Sequence, residues 1–452
     1  MKRVDATQGS LTKSIFTYTI PLILSTILQS LFGIADKAVL GNMAGHSAVA
    51  AIGATGTVTE LIINGAVGLS TGTAIVLARF VGQKDEKNIR ETIDTSLITS
   101  VAFGLIVAVA GFILAPVFLT VTNCPEECYD GALLYMRIYL AAAPASLLYN
   151  YGSAILRTLG DTRKPLLYIT AAGIVNVVLN IILCFILQEK VAAVAIATVA
   201  SKLISAFLVL RQICKLEDGA HIQIKKMRFR FSAFSRILRF GIPASISSLV
   251  IPLGSLQVVT AINSFGADAI AGSSAASSVN SIAQAFSGGF GAATTTFMGQ
   301  NIGAKDVNRV KKSFWYFLGF NVLITGTLGV LTYLTGELWI SIIIGKSSPA
   351  AINYGMTRMF HVTLFMFVNA INQVLSHAIQ AFGYPMITSV TNIAFTLGFR
   401  ILWMQFVYPL KPGFSTVVLC FTVSWILNMI FCAIFTSIVY LRYTKKGICK
   451  KI

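Results

Sequence analysis

The chain has 452 residues, 55% hydrophobic and only 12% charged, with a formal net charge of +18. Soluble proteins carry about 25% charged residues, so this balance excludes a soluble globular domain and implies an integral membrane protein. The basic residues lie in loops between apolar runs, which suits the anionic cytoplasmic leaflet, and no nucleic-acid partner is expected.

The opening MKRVDATQGSLTKS is polar and passes into an apolar run with no small-residue cleavage site, so no cleavable signal peptide is expected. A spanning helix needs about 20 apolar residues. Such runs lie near 14–41, 50–77, 95–119, 132–155, 166–187, 191–210, 238–263, 271–298, 313–335, 358–381, 386–408 and 414–441. Backbone groups in lipid must be paired internally, in helices or in a closed barrel. The runs are continuous rather than alternating, which selects helices. The predicted fold class is an all-α integral membrane protein, with twelve transmembrane helices in two pseudo-symmetric six-helix bundles.

An even number of spans leaves both termini on one side. Lys2, Arg3 and Lys13 precede the first span; Lys84, Lys87 and Arg90 follow the second; Arg157, Arg163 and Lys164 follow the fourth; Lys305, Arg309, Lys311 and Lys312 follow the eighth. The alternate loops are poor in cations, and TNCPEECYDG is acidic. The positive-inside bias predicts a multi-pass protein of the cytoplasmic membrane with both termini in the cytoplasm. The longest polar stretch, near 211–239, holds Arg211, Lys215, Lys225, Lys226, Arg228, Arg230, Arg236 and Arg239. It divides the chain into an N-terminal six-helix lobe (1–212), a cytoplasmic basic linker (213–236) and a C-terminal lobe (237–452).

The lobes read as copies. GLSTGTAIVLARFVGQKD, from Gly68 to Asp85, is echoed by GFGAATTTFMGQNIGAKD, from Gly289 to Asp306. Gly68, Thr73, Gly82, Lys84 and Asp85 recur at one offset as Gly289, Thr294, Gly303, Lys305 and Asp306. Each copy follows a run that opens on Ile-Pro, at Ile20-Pro21 and Ile242-Pro243. The same order and orientation predict parallel repeats about an axis along the membrane normal, an arrangement found in transporters.

A charge at the bilayer centre costs about 2.5–3.5 kcal/mol on the insertion scale, so each needs a reason. Asp36 lies in the first span. It is either a bundle-facing carboxylate that binds a proton or cation, or a helix-end acid solvated or paired with Lys37. Asn176 and Asn180, four apart on one face of the fifth span, either complete a cation site beside that carboxylate or bridge helices. Tyr135 and Thr198 add hydroxyls. Glu60 is a second intramembrane acid and a candidate cavity residue. Asn369, Gln373 and Gln380, with Ser376 between, form a polar stripe that lines a cavity or bonds neighbouring helices. Arg400 and Arg137 are candidate counter-charges, and His377 reads as structural. Cys124 and Cys128 read as free thiols; Cys184, Cys420 and Cys432 read as packing residues. No metal triad, phosphate loop or nucleophile constellation stands out, so an enzyme is not expected.

At these residues the chain resembles the multidrug and toxin extrusion (MATE) family of secondary transporters, prokaryotic type. The resemblance rests on IPLILSTILQSLFGIADKAVLGNMAG, FVGQKDEKNIR, ILRTLGDTRKP, the Asn-containing fifth span and AVAIATVAS, and runs through both halves. It implies two six-helix lobes and export of organic cations, drugs and other amphipathic compounds, driven by inward flow of H+ or Na+. No cofactor beyond that coupling ion is implied, and no metal beyond Na+ at Asp36. The family's first-helix Asp resembles Asp36, its fifth-helix Asn resembles Asn176, its fourth-helix Tyr resembles Tyr135 and its sixth-helix Thr resembles Thr198. Where many members have Asp four residues after the Asn, this chain has Asn180. That leaves one acid in the core site, which ionises more readily without a like-charged neighbour, while burial opposes ionisation. Counted from the Ile-Pro pair, the second half has Val258 where Asp36 would recur, and the seventh span has no Glu.

The expected mechanism is antiport by alternating access, with the first span hinged at Pro21. The alternative is a flippase or exporter of a lipid-linked or other endogenous metabolite within the same broader superfamily, for which a strongly basic cavity is expected. A monomer among membrane lipids is expected, with small amphipathic or cationic molecules as substrates.

Overall fold

The computed structural model describes residues 3–121, 126–216, 226–344 and 348–446; within these, the side chains of residues 34, 36–38, 40–54, 56–58, 60, 121, 127, 445 and 446 are not described. The helices are α1 Leu11–Gln83, α2 Glu86–Val121, α3 Glu126–Ala141, α4 Ala143–Thr158, α5 Arg163–Ile186, α6 Lys190–Cys214, α7 Phe231–Asn263 and α8 Ala267–Gly303. They continue as α9 Val307–Leu334, α10 Gly336–Ile344, α11 Pro349–Arg358, α12 Met366–Ala381, α13 Pro385–Thr391, α14 Phe399–Leu402 and α15 Phe414–Lys446. Three π-helical stretches, Met359–Thr363, Asn392–Gly398 and Trp403–Val407, interrupt the tenth and eleventh spans. Among the described residues, nine helices are long and apolar enough to cross a membrane, or eleven if two bent pairs each count as one span.

The fourth and tenth spans, expected as single helices, are these bent pairs. The fourth bends by 45° between α3 and α4. Pro144 follows the break, and it can neither donate to the preceding turn nor fit beneath it. The tenth bends by 41° after its π turn, where Leu364 N donates to Met359 O at 3.2 Å. The first and second spans, expected to be separate, carry one uninterrupted helix, α1. Residues 41–49, GNMAGHSAV, contain no proline, and each glycine costs a helix only about 1 kcal/mol. The two apolar windows, Leu11–Gly33 and Leu61–Gln83, lie at either end of α1.

The chain divides into two compact units: Met1–Asp5 with Ile20–Ser245, and Ala6–Thr19 with Ile246–Ile452. The start of α1 is therefore part of the second unit, and the start of α7 part of the first. Both changes of unit fall within three residues of the Ile-Pro prolines, Pro21 and Pro243.

In the first unit the start of α7 packs into α1. A Cβ on Gly72 would stand 2.4 Å from Ile237 O and 2.5 Å from Gly241 N, so only glycine admits this approach. Arg236 Nη2 donates to Asn88 Oδ1 at 3.0 Å, and Arg230 pairs with Glu91 at 3.7 Å. In the second unit the chain start is held by Arg309, which donates to the carbonyls of Ala6, Gln8 and Gly9 at 2.7, 2.6 and 3.1 Å. Tyr18 Oη donates to Thr296 Oγ1 at 3.0 Å.

The repeated Lys-Asp turn is repeated in its backbone as well. Among the described non-glycine residues, only Lys84 and Lys305 have positive φ, 56° and 60°. Each ends a helix in the left-handed conformation. The aspartate that follows caps the next helix: Asp85 Oδ1 accepts from Asn88 N at 3.1 Å, and Asp306 Oδ1 accepts from Arg309 N at 2.8 Å. Hydrogen bonds from Asn88 hold the Asp85 carboxyl below its ordinary pKa. Gly160 and Gly383 make the same left-handed turn after the fourth and tenth spans. Asp161 caps α5 by accepting from Lys164 N at 3.1 Å, whereas Tyr384 stands at the corresponding place before α13 without a side-chain cap.

Candidate functional site

The first unit gathers the polar residues read from the fifth and sixth spans. Asn176, Asn180 and Thr198 are buried, 4%, 0% and 9% exposed. Asn180 Nδ2 donates to Asn176 Oδ1 at 3.4 Å, and Asn176 Nδ2 donates to Thr198 Oγ1 at 3.5 Å. Thr198 Oγ1 donates back to Val194 O at 2.9 Å. An i, i+4 pair on α5 thus links to a hydroxyl on α6 as one polar chain within an apolar bundle. Tyr135 is buried beside it on α3, in a cluster with Cys184, Val191 and Val194.

The Asp36 and Glu60 side chains lie outside the described residues. The neighbourhood of position 36 is nevertheless marked by packing. A Cβ on Gly173 would stand 2.1 Å from the Phe32 ring, so α1 meets α5 closely there. Phe32 is one helical turn before position 36, and Gly173 is about one turn before Asn176.

Two residues of this region escaped the sequence reading. The Tyr139 ring stacks on Tyr135 at 5.6 Å between centroids, and Lys202 Nζ lies 3.4 Å from the Tyr139 ring centre. Lys202 is four residues after Thr198, and Tyr139 four after Tyr135. The signal was the helical spacing, one residue beyond the AVAIATVAS motif.

In the second unit Gln373 and Gln380, grouped in a cavity stripe, meet different elements. Gln380 is buried and its Nε2 donates to Thr388 Oγ1 at 3.5 Å, tying α12 to α13. Gln373 and His377 lie where α12 meets Gly291 of α8. His377 Nδ1 is hydrogen-bonded to Thr295 Oγ1 at 2.8 Å, which fits its structural reading. Asn369 is half-buried on the same helix.

Arg400 belongs to a different cluster. It is 3% exposed. Its Nε donates to Ser424 Oγ at 3.2 Å and its Nη1 to Ser255 Oγ at 3.1 Å. Its guanidinium carbon is 4.6 Å from the centre of the Phe421 ring. Arg358, absent from the sequence reading because it sat at the assigned edge of the tenth span, approaches the same ring at 5.4 Å. Arg358 Nη1 donates to Ser273 Oγ at 2.5 Å. Two like charges thus share one ring. A cation–π contact returns about 0.5–2 kcal/mol, against about 2.5–3.5 kcal/mol for each guanidinium in the bilayer. A guanidinium has five N–H donors, and the serines occupy only some of them.

No group of three or more His, Cys, Asp or Glu residues able to hold a metal occurs among the described residues.

The MatE family model matches residues 21–186 and 243–404. The chain is 27% identical over 393 residues to a probable multidrug resistance protein, YpnP, of Bacillus subtilis (strain 168), covering 87% of each chain. It is 27% identical over 306 residues to a FAD transporter of Shewanella oneidensis, covering 66% of each. Among solved structures, a MATE protein in a straight conformation superposes with a TM-score of 0.90 at 21% identity, covering 99% of this chain and 100% of the other. The same protein type in a bent conformation gives 0.89 at 21% identity, covering 98% and 100%. These likenesses establish the twelve-helix fold.

Proposed function

Because the chain belongs to the MatE family, and is therefore a multi-pass membrane transporter of the drug-export type, we propose that it is a cation-coupled antiporter. It exports organic cations, drugs and other amphipathic compounds across the cytoplasmic membrane by alternating access, with both termini in the cytoplasm. The observation that carries this reading is the buried Asn180–Asn176–Thr198 chain, one turn from the Phe32–Gly173 contact that brings α1 against α5. Such a chain stabilises a cation, or a protonated carboxyl, at Asp36.

In the outward-open state Asp36 takes up H+ or Na+, with Asn176, Asn180, Thr198 and Tyr135 around it. Neutralisation of the carboxylate releases the attraction that holds a cationic drug. α1 then shifts near Pro21, beside the change of unit. One charge moving through 100 mV supplies about 2.3 kcal/mol, enough for roughly a 50-fold gradient of a neutral substrate. The cavity role of Glu60, Asn369, Gln373 and Gln380 remains part of this proposal. A monomer accommodates the whole cycle.

The second reading is export of an endogenous metabolite or lipid-linked compound. Buried Arg400 and half-buried Arg358, both beside Phe421, favour it, as does likeness to a protein described as a FAD transporter. Dye efflux from vesicles under an imposed pH gradient, and separately under an imposed Na+ gradient, tests coupling. Efflux should follow one gradient and collapse with it; indifference to both would rule coupling out.

A further inference from the structure

By order in the repeat, the tenth, eleventh and twelfth spans of the second unit correspond to the fourth, fifth and sixth spans of the first. Where the first unit gathers Tyr135, Asn176 and Thr198, the second gathers Arg358, Arg400 and Phe421. Val258, as far beyond Pro243 as Asp36 is beyond Pro21, is fully buried in the same apolar cluster as Phe421. Counted from the two prolines, valine stands in place of the acid, and the span that matches the Asn-bearing one carries the Arg400 guanidinium.

Three acids belong to the second unit, Asp268, Asp306 and Glu337. They stand in the first turn of α8, at the cap of α9 and in the first turn of α10. Among the described residues no carboxylate lies within 4.0 Å of either guanidinium. Each arginine also borders π-helical backbone. Arg358 directly precedes Met359–Thr363, and Arg400 lies in the four-residue α14 between Asn392–Gly398 and Trp403–Val407. Such turns concentrate at functional sites.

We propose that Arg358, Arg400 and Phe421 form a binding site for the oxyanion of an amphipathic aromatic compound, a carboxylate, sulfonate or phosphate ester. Guanidinium forks match the geometry of oxyanions. Half-buried Tyr354, Trp403 and Trp425 pack against the same cluster and supply an aromatic surround for the body of the ligand. That the ligand is exported cargo rests on the transport reading; that the site binds an oxyanion does not.

The test is equilibrium binding of 1-naphthalenesulfonate to the full chain in phosphatidylcholine nanodiscs, followed by quenching of tryptophan fluorescence. Saturable quenching is expected, stronger than that by 1-naphthylammonium. Arg400→Gln and Arg358→Gln should each weaken it at least about 10-fold, the usual effect of removing a hydrogen bond to a charged group. Ser255→Asp keeps both arginines but places a carboxylate beside Arg400 Nη1. It should abolish binding while raising Tm, so lost binding is not confused with misfolding. Adding about 20% phosphatidylglycerol separates the two sources of oxyanion. Unchanged binding assigns the site to a dissolved compound; competition keeps the oxyanion site and assigns it to a lipid headgroup. Equal binding by the wild type and both Arg→Gln variants, or by Ser255→Asp, would overturn the proposal. No ion gradient is applied, so failure of coupled export leaves this result standing.

Discussion

In the first unit, α5 and α6 bury two amides and a threonine in a hydrogen-bonded chain. In the second unit the corresponding spans carry Arg400 and Phe421, and Arg358 of the tenth span crowds the same ring. The Lys-Asp turns of the two units are the same. Lys84 and Lys305 adopt the same left-handed turn, and Asp85 and Asp306 cap the following helices alike. Duplication preserved what the backbone needs, the turns and caps, and left the interior free to diverge. In the proposals above, the two interiors differ in the sign of the charge they suit: the first a cation, the second an anion.

The largest expected effect comes from a place where the scaffold itself is unequal. Gly72 corresponds to Ala293 in the repeat. Gly72→Ala would drive a Cβ to 2.4 Å from backbone atoms that cannot move aside. It should cost at least about 1–3 kcal/mol as overpacking. The reciprocal Ala293→Gly should cost only about 1 kcal/mol of helix propensity. Thermal unfolding in detergent measures both; equal losses would mean that the α1–α7 approach is not specific to the first unit.

Next is the polar chain. Asn176→Leu leaves Thr198 and Asn180 without this partner, and a broken buried hydrogen bond costs about 1–3 kcal/mol. Gradient-driven efflux should fall roughly 5- to 150-fold in protein that remains folded, beyond the few degrees of Tm that the lost bond costs. A Tm loss that accounts for the whole effect would make Asn176 helix glue rather than part of the ion site.

The smallest effect tests the shared scaffold. Lys84→Val and Lys305→Val put a β-branched residue at positive φ, which should cost about 1–2 kcal/mol each. Similar losses of Tm are expected in both, and a loss in only one would break the equivalence of the two turns.

The residues made much of this legible. Continuous apolar runs announced helices, and the GQKD and GAKD copies announced the turns that Lys84 and Lys305 make. Asn176 and Asn180, at helical spacing, announced a polar face that the fold joins to Thr198. Other features depended on tertiary context. The bend after Met359–Thr363 has no proline within the turn to signal it. Arg358, at the edge of the tenth span, carried no sign of Phe421, which reaches it from a span about sixty residues away. Helical spacing puts Lys202 on the face of Thr198 and Tyr139 on that of Tyr135, but which ring the amine meets is set by the packing of α6 on α3. The passage of α1 and α7 between units near Pro21 and Pro243 rests on contacts such as Arg309 with Ala6, which only the folded chain creates.

The central claim is that the first unit carries the coupling ion through Asp36. Its most direct test is efflux from proteoliposomes holding Asp36→Asn, compared with wild type under the same imposed gradient. The account predicts that the variant retains at most slow, gradient-independent substrate movement. Gradient-coupled efflux at the wild-type rate in Asp36→Asn would contradict it.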